Sequence, residues 1–186
     1  MNIFYFSKCP IKSAEYQPDK MLVKMPLETA QMLCTAHRIL DSNNIIKQPS
    51  KSGKTMVKHY QLADEREDLF YPVCHVNHPC TIWARESSAN YWWLYSHFIA
   101  LGAEYTHRYG KRHASVEKLW KPLFTMPKNI FKGAMTPLAQ AMPEEYKDED
   151  PIVAYRNYCI NEKHYAKWER GRNKPSWWHT QHEEVA

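Results

Sequence analysis

No apolar run in the sequence approaches the roughly 20 residues that a helix needs to cross a bilayer. The opening stretch MNIFYF is apolar, but it is short, and it lacks the basic segment that begins a signal peptide. These two absences argue against a membrane protein and against a secreted one. We therefore expect a protein that works in the cytoplasm and has no membrane partner.

Cysteine is scarce and odd in number, with five residues in the chain. An odd count in a chain of this size predicts free thiols in a reducing compartment rather than a disulfide framework. Four residues of types that bind zinc occur close together: Cys74, His75, His78 and Cys80. Structural zinc sites usually draw two pairs of ligands from separated segments, so four ligands in one turn would strain the tetrahedral geometry. We expect a turn with two half-buried thiols, and no metal or other cofactor.

A complete phosphate-binding loop is also missing. The segment SKSGKT, from Ser50 to Thr55, ends like one, but the pattern requires glycine where this sequence has Gln48. No apolar strand precedes the segment either, so we interpret it as a flexible basic connection. The sequence also lacks internal repeats and linkers, which predicts a single domain over residues 1–186 with a less ordered tail at 171–186.

Aromatic residues are plentiful, with 7 Trp, 12 Tyr and 6 Phe. Rings fill a core efficiently and also stack on bases, so their abundance fits both uses. The net charge of +5 tilts the protein mildly toward anionic partners such as nucleic acid. An excess of surface lysine would give the same charge in a protein that binds no nucleic acid. Composition alone leaves both alternatives open.

Helical patterns dominate the chain. We predict a compact, mainly α single helical domain with a short N-terminal strand or extended arm at MNIFYF and long proline-rich loops. Helix-forming residues continue from Pro10 to Asp41, with a break expected near Pro18 and a kink or second break at Pro26. The residues DSNNIIKQPSKSGK are typical of a polar loop, and the start of TMVKHYQLADEREDLFYPV of a short extended piece.

The clearest helix runs from Ser87 or Ser88 to Tyr109. Ser88 is suited to be its N-cap, and Gly110 to the left-handed conformation that ends many helices. The residues HASVEKLW predict a short helix after it.

The last third of the chain is expected to begin with a long ordered loop, because residues 121–143 include four prolines. Asp150 followed by Pro151 matches an N-cap and the first turn of a final helix, which we expect to reach about Arg170.

The first helical region carries a polar stripe. Its members follow helical spacing and therefore share a face: Lys20, Lys24, Glu28 and Gln31. Such a stripe can be only a solvated surface with ion pairs. If it faces a cleft, Glu28 suits general acid–base catalysis and the lysines suit phosphate binding. Glu28 and Lys24 are the predicted catalytic residues.

The central helix carries a second polar face. Asn90 and Glu104 lie on it, and Arg108 follows one turn after Glu104. These side chains are either exposed to solvent or contact phosphates and base edges, with Trp83 available for stacking. The predicted nucleic-acid contacts of the whole chain are Lys20, His78, Trp83, Arg85, Asn90, Arg108, Arg112, Arg156 and Trp177.

Cations alternate with aromatic residues near the C-terminus, from Tyr155 to Trp178. This alternation is typical of nucleic-acid-binding surfaces. It also fits rings that face the core while long cationic side chains cover them. Both alternatives stay open for Arg156 and Trp177.

Three blocks together resemble a known family. They are the N-terminal arm that leads into the polar-faced helix, the segment from NHPCTIW to EYTHRYGKRH, and the closing KPSWW. Their order is similar to that in the phage pyrimidine-dimer DNA glycosylases of the endonuclease V type. The resemblance implies a compact helical domain whose N-terminal amine is the nucleophile, assisted by a Glu on the first long helix. The chain also resembles small phage proteins, which implies a viral origin and the host cytoplasm as its location.

The resemblance assigns the helix carboxylate to Glu28. It assigns basic DNA contacts to Lys20 and Lys24, and an aromatic C-terminal end to Trp177 and Trp178.

The sequence departs from the family pattern in its longer loops and in its first residues. Because Asn2 has a large side chain, we expect the initiator Met1 to be retained, which displaces the amine by one residue. DNA binding without lyase chemistry is compatible with that displacement.

We therefore expect a phage-type protein that binds DNA or a nucleotide, with DNA glycosylase/lyase-like chemistry. The alternative is a non-catalytic phage binder that sequesters a small nucleotide or inhibits a host protein. A cleft lined by Trp, Arg and Glu28 would favour the enzyme, whereas an exposed apolar patch would favour a protein partner. The oligomeric state stays open.

Overall fold

The computed structural model describes residues 1–50 and 52–179. Within these residues the chain forms eight α-helices and one two-stranded sheet, which confirms the mainly α fold predicted from sequence. The elements, in order, are α1 (Pro10–Glu15), α2 (Asp19–Leu22), α3 (Met25–Asp41), β1 (Asn44–Pro49), β2 (Met56–Gln61), α4 (Arg66–Leu69), α5 (Pro79–Trp83), α6 (Ser88–Tyr109), α7 (Ala114–Leu119) and α8 (Pro151–Glu162). None of the helices among these residues is long and apolar enough to span a membrane.

The first six residues form an arm rather than a strand, with a left-handed turn at Phe4 (φ 55°), and all four residues from Ile3 to Phe6 are buried. A strand on a surface would bury alternate residues, but this arm is covered on both sides. The Tyr5 ring packs on Trp93 of α6 at 4.7 Å, and the Phe4 ring lies 6.2 Å from Tyr155 of α8. The arm therefore runs through the core, which fixes the position of the chain's first residue.

Both prolines of the first helical region lie at breaks, as predicted. The chain leaves α1 before Pro18, which sits just ahead of α2 in extended conformation. Pro26 lies in the first turn of α3, where its missing N–H removes no helical hydrogen bond. The second break lies at Val23 and Lys24, and Glu28 in the first turn of α3 lies beside Met1 at the start of the arm.

The central helix α6 packs against α1, α3 and α7. Its N-cap is Ser87 rather than Ser88, because the Ser87 side chain accepts a hydrogen bond from the Asn90 N–H. Its C-terminal residue Gly110 has φ 67°, which confirms the left-handed end predicted from sequence.

The final helix α8 begins at the predicted Asp150 cap but ends at Glu162, earlier than the predicted Arg170. Tertiary contacts explain the difference. The carbonyl of Lys167 accepts a hydrogen bond from the Asp19 N–H, and Trp168 Nε1 donates to the carbonyl of Tyr16. These bonds draw the chain along α1 and α2 instead of continuing the helix.

The tail is placed as far as residue 179, and it is anchored by aromatic packing. Trp178 is 4% exposed and its ring lies 4.9 Å from Trp168. The expectation of a less ordered tail falls partly on residues 180–186, which lie outside the described part of the chain.

A β-hairpin stands where the sequence analysis predicts a polar loop followed by a short extended piece. β1 pairs with β2 in antiparallel register, with Ile45 opposite Tyr60 and Lys47 opposite Lys58. The segment from Ser50 onward, interpreted above as a flexible connection, supplies the turn, where Gly53 has φ 71°. The loop prediction was wrong here because exposed strands carry no apolar alternation for a pattern to detect.

Buried histidines give the fold a predictable response to acid. Burial lowers the pKa of His97 to about 4 and that of His37 to about 3. Below pH 6.5 these two histidines bind protons in the unfolded chain but stay neutral in the folded protein. The free energy of unfolding should therefore decrease from pH 6.5 downward. Each histidine contributes a slope of up to about 1.4 kcal/mol per pH unit.

The His97→Asn variant tests this expectation. Asparagine can still donate to the carbonyl of Pro10, which His97 Nδ1 reaches at 3.0 Å, but it does not titrate. Urea unfolding between pH 6.5 and 4.5 should therefore give a shallower pH slope for His97→Asn than for the wild type. Equal slopes would show that His97 is protonated in the folded state.

Candidate active site

The α-amine of Met1 and the carboxylate of Glu28 face each other. The amine nitrogen lies 3.7 Å from Glu28 Oε2, and the Met1 side chain is only 3% exposed. This distance is within ion-pair range but too long for a hydrogen bond. The N-terminal amine and the helix carboxylate that the sequence analysis pairs by resemblance are therefore neighbours in the fold.

The position of Met1 is fixed by polar contacts of its own side chain and of the Asn2 side chain. The Thr81 hydroxyl of α5 donates to Met1 Sδ at 3.4 Å. Asn2 Nδ2 donates to the carbonyl of Ala141 in the proline-rich segment, and Asn2 Oδ1 accepts from the Ile3 N–H. Cys80 Sγ reaches the same Oδ1 at 3.5 Å. A buried, multiply bonded terminus holds its amine in one place, as a nucleophile requires.

Glu28 occupies the first turn of α3 and uses its two oxygens differently. Lys24, one turn earlier, approaches Oε1 with its ammonium at 3.4 Å. The Oε2 atom is buried and has no hydrogen-bond partner among the described residues. Buried carboxylate oxygens are almost always hydrogen-bonded, so an unpartnered one beside an amine marks a place where a ligand or proton belongs.

The loop before α5 forms one rim of this pair. His78 caps α5 by accepting the Cys80 N–H at Nδ1, so in the neutral ring the proton is on Nε2. Burial lowers the pKa of His78 below 6.5, and the positive Met1 amine lowers it further. The ring is therefore neutral at pH 7.

Cys74 and His75 lie on the same rim. Burial raises the pKa of the Cys74 thiol, and the carboxylate of Glu28 raises it as well, while the Met1 amine lowers it. His75 has φ 46°, a left-handed conformation that costs energy in a residue with a side chain. The described residues contain no cluster of three or more His, Cys, Asp or Glu that could hold a metal ion.

Arg85, just after α5, is placed between this rim and the hairpin. Its guanidinium donates to the carbonyl of Thr81 at 3.0 Å and leaves other donors available. Burial lowers the pKa of Arg85, and the nearby Glu86 and Tyr60 raise it. Of the predicted residues, Lys24 therefore pairs with Glu28, and His78 lies near enough to Met1 and Glu28 for their charges to shift its pKa. Arg85 contacts Thr81, whose hydroxyl donates to Met1 Sδ.

Three other predicted contacts are buried inside the protein. Trp83 is 1% exposed and donates to the carbonyl of Thr136, while Asn90 is fully buried and donates to the carbonyl of Trp83. The Arg108 guanidinium, also inaccessible, bonds Asp19 at 2.8 Å. None of these side chains can reach a nucleic acid without unfolding its surroundings, so the polar face of α6 is a structural network.

The remaining predicted contacts lie away from Glu28 or pack against aromatic rings. Lys20 is exposed and sits 4.8 Å from the centre of the Tyr165 ring. Arg112 is exposed near the end of α6. Arg156 donates to the carbonyl of Phe6 and lies 4.8 Å from the Trp177 ring. Around Arg156 the alternating cations and rings are therefore core packing with long side chains laid over it.

A cavity of about 730 Å³ lies apart from this site, between α1 and α6. Its walls are mostly apolar, and neither Met1 nor Glu28 lines it. Of the charged groups at its edge, Glu104 and Arg172 bond each other at 2.8 Å, and Arg172 also lies 3.7 Å from Glu15. The residues that line this cavity include no lysine and not the chain's first residue, so no amine faces a carboxylate there.

The residues that sequence reasoning missed are those that hold the terminus. Asn2 and Thr81 have no catalytic pattern of their own, and their contacts join segments about eighty residues apart in the chain. The one available signal was the block NHPCT, which contains His78, Cys80 and Thr81 and which we linked to the family only by resemblance.

Comparison with protein families agrees with this geometry. The family model described as pyrimidine dimer DNA glycosylase matches residues 1–118. Because the match covers more than half of the 186 residues, the chain belongs to this family. Neither the comparison with curated proteins nor that with solved structures found a match. Family membership supports a DNA glycosylase-like function with DNA as the partner.

Proposed function

We propose that the protein is a DNA glycosylase with lyase activity that removes a damaged pyrimidine, using its N-terminal amine as nucleophile and Glu28 as the proton-transfer group. One observation carries the proposal. The Met1 amine and the buried, unpartnered Oε2 of Glu28 lie 3.7 Å apart. A carboxylate with one buried oxygen beside a fixed amine can accept and return a proton during nucleophilic attack.

The chemistry can be written with its protons in balance. The neutral amine attacks C1′ of the damaged nucleotide, the C1′–N bond to the base breaks, and the base leaves with the bonding electrons. The amine proton passes to Glu28 and then to the ring oxygen O4′ as the sugar opens, which leaves an imine between the protein and C1′. The Glu28 carboxylate, which has given its proton to O4′, then takes a proton from C2′, and the C3′–O bond breaks so that the 3′ phosphate leaves with the bonding electrons.

The neighbouring side chains have supporting roles in this proposal. Lys24 and Arg85 supply positive charge beside the site, where they would bind the phosphates that flank the damaged nucleotide. Lys20, exposed on α2, would contact the backbone further along. His78, neutral at pH 7 with its proton on Nε2, would donate a hydrogen bond to the sugar or the departing base.

Trapping with borohydride tests the proposal. The purified protein is incubated with a duplex that holds an abasic site and with one that holds a thymine dimer, in the presence of borohydride. We expect a covalent protein–DNA adduct on both duplexes and none on the undamaged duplex, because borohydride reduces the imine to a stable amine.

The adduct should map to the N-terminal peptide by mass spectrometry, which also reports whether Met1 is retained. Lys24 is the essential control, since its amine lies 3.4 Å from the same carboxylate. Lys24→Arg should still form the adduct, whereas protein acetylated at its N-terminus should not.

An adduct on Lys24 would move the nucleophile from the chain terminus to that side chain. Tight, damage-specific binding without any adduct would end the enzymatic proposal and leave the non-catalytic binder as the better account.

A further inference from the structure

The β-hairpin carries a concentrated positive charge. Between Asp41 and Asp64 the sequence has four lysines and no acidic residue. Elsewhere, several lysines form ion pairs with acidic residues, such as Lys12 with Glu15. The hairpin is therefore one of two stretches, with residues 118–143, that contain four lysines and no acidic residue.

Two of these lysines face each other directly. Lys47 of β1 and Lys58 of β2 are register partners, so their side chains project from the same face of the ribbon. Directly opposed side chains have Cβ atoms about 4.5–5.5 Å apart, and like charges at that distance destabilise a sheet. Neither lysine forms an ion pair with any of the described residues. An anion placed between them would relieve the repulsion.

The base of the hairpin is held firmly even though its strands project from the protein. Arg38, 2% exposed, donates to the carbonyl of Tyr60 at 2.9 Å and bonds Glu67 at 2.7 Å. His59 Nε2 lies 2.6 Å from the other oxygen of Glu67. Further out, Met56 is 60% exposed. A ribbon that is rigid at its base and exposed along its length can place charge at a fixed distance from the core.

The lysine-bearing face looks toward the candidate active site. Lys58 and Tyr60 line a cavity of about 410 Å³ whose opposite wall includes Val76 and Asn77. Asn77 immediately precedes His78 of the active-site rim. Arg85 is close enough to Tyr60 for the two groups to interact electrostatically. The hairpin and the Met1–Glu28 pair are therefore parts of one continuous face.

We propose that the hairpin is a DNA-binding arm whose Lys47–Lys58 pair grips a backbone phosphate of the duplex that lies beyond the phosphates flanking the nucleotide at the Met1–Glu28 pair. The inference rests on the proposed function in taking damaged duplex DNA as the substrate. Phosphate matches the charge and the spacing of the opposed lysines, and a two-stranded ribbon is narrow enough to lie along or within the major groove. The arm extends the contact with DNA beyond the damaged nucleotide.

The double variant Lys47→Ala/Lys58→Ala tests the arm. Binding to an undamaged duplex is measured by fluorescence anisotropy at several salt concentrations. The loss of one neutralised phosphate should reduce the magnitude of the slope of log K against log salt by about 0.9, and should weaken binding at low salt by roughly 10-fold. Circular dichroism checks that the double variant is folded.

The matched control is Lys12→Ala/Lys147→Ala, which changes the net charge by the same amount. Each of these lysines lies close to a glutamate, at 2.7 Å and 2.6 Å, and neither belongs to the hairpin. The control should keep the wild-type slope. An equal loss in both double variants would mean that only net charge matters, and an unchanged slope in the hairpin variant would also overturn the arm.

Adduct formation is measured separately with a single-stranded abasic trinucleotide, which is too short to reach the hairpin. The hairpin variant should form the borohydride adduct with this substrate as well as the wild type does. If the wild type forms no adduct but the slopes still differ, the proposed chemistry fails and the arm stands. If the wild type binds no duplex at any salt concentration, the arm is refuted.

Discussion

Replacing Glu28 with glutamine is expected to slow adduct formation by roughly 10²-fold or more while leaving DNA affinity nearly unchanged. Glutamine keeps the shape of the side chain, but it cannot accept the proton that the attacking amine must lose. The loss should therefore appear in the single-turnover rate of borohydride trapping on an abasic duplex, with saturating protein. The dissociation constant, measured without borohydride, reports binding independently.

A matched control and a stability measurement separate catalysis from structure. Glu144→Gln removes a carboxylate that is 85% exposed and paired with Lys147, so its trapping rate should equal that of the wild type. Glu144→Gln should unfold within about 1 kcal/mol of the wild type, because exposed ion pairs contribute little. Urea unfolding of Glu28→Gln checks separately that this variant is folded. A Glu28→Gln rate within threefold of the wild type would remove Glu28 from the chemistry.

Local signals in the sequence predicted the elements that depend on local physics. The Asp150 cap with Pro151, the left-handed Gly110 and the breaks at Pro18 and Pro26 are each set by one or two residues. Each acts through backbone groups within a few residues of itself, so no tertiary contact is needed to place it. The mainly α class followed from the same signals.

Tertiary contacts decided the elements that the sequence did not predict. The end of α8 depends on bonds from its following segment to Asp19 and Tyr16, which lie about 150 residues earlier. The hairpin is held by Arg38, whose buried guanidinium donates hydrogen bonds to the carbonyls of Tyr60 in β2 and of Phe70. The periodicity of apolar residues reports on local structure, so it does not indicate contacts between residues so far apart in the chain.

The candidate site was predictable only in part, and for the same reason. Helical spacing groups Lys24 with Glu28, and the structure confirms that they pair. Their meeting with the Met1 amine depends on the buried arm and on Thr81, which no local pattern reveals. The family resemblance predicted that the N-terminal amine and Glu28 are neighbours, and in the fold the two groups lie 3.7 Å apart.

The polar face of α6 shows the limit of spacing arguments most clearly. Asn90, Glu104 and Arg108 share a face as predicted, but that face points inward. Spacing identifies which residues lie together and does not tell whether water or protein covers them. Burial of the arginine turns a predicted DNA contact into a structural element, and this difference can be measured.

Replacing Arg108 with methionine should lower the free energy of unfolding by about 3–5 kcal/mol, because it leaves buried carboxylates without their partner. The guanidinium bonds Asp19 at 2.8 Å and Glu104 at 2.6 Å, and Arg172 can compensate only at Glu104. Urea denaturation at pH 7 measures the loss, with Arg112→Met as the exposed control, expected within about 0.5 kcal/mol of the wild type. Where Arg108→Met remains folded, its salt slope for duplex binding should equal that of the wild type, since a buried guanidinium releases no counterion from DNA. A folded Arg108→Met protein of wild-type stability with a reduced salt slope would instead restore this residue to the DNA-binding surface.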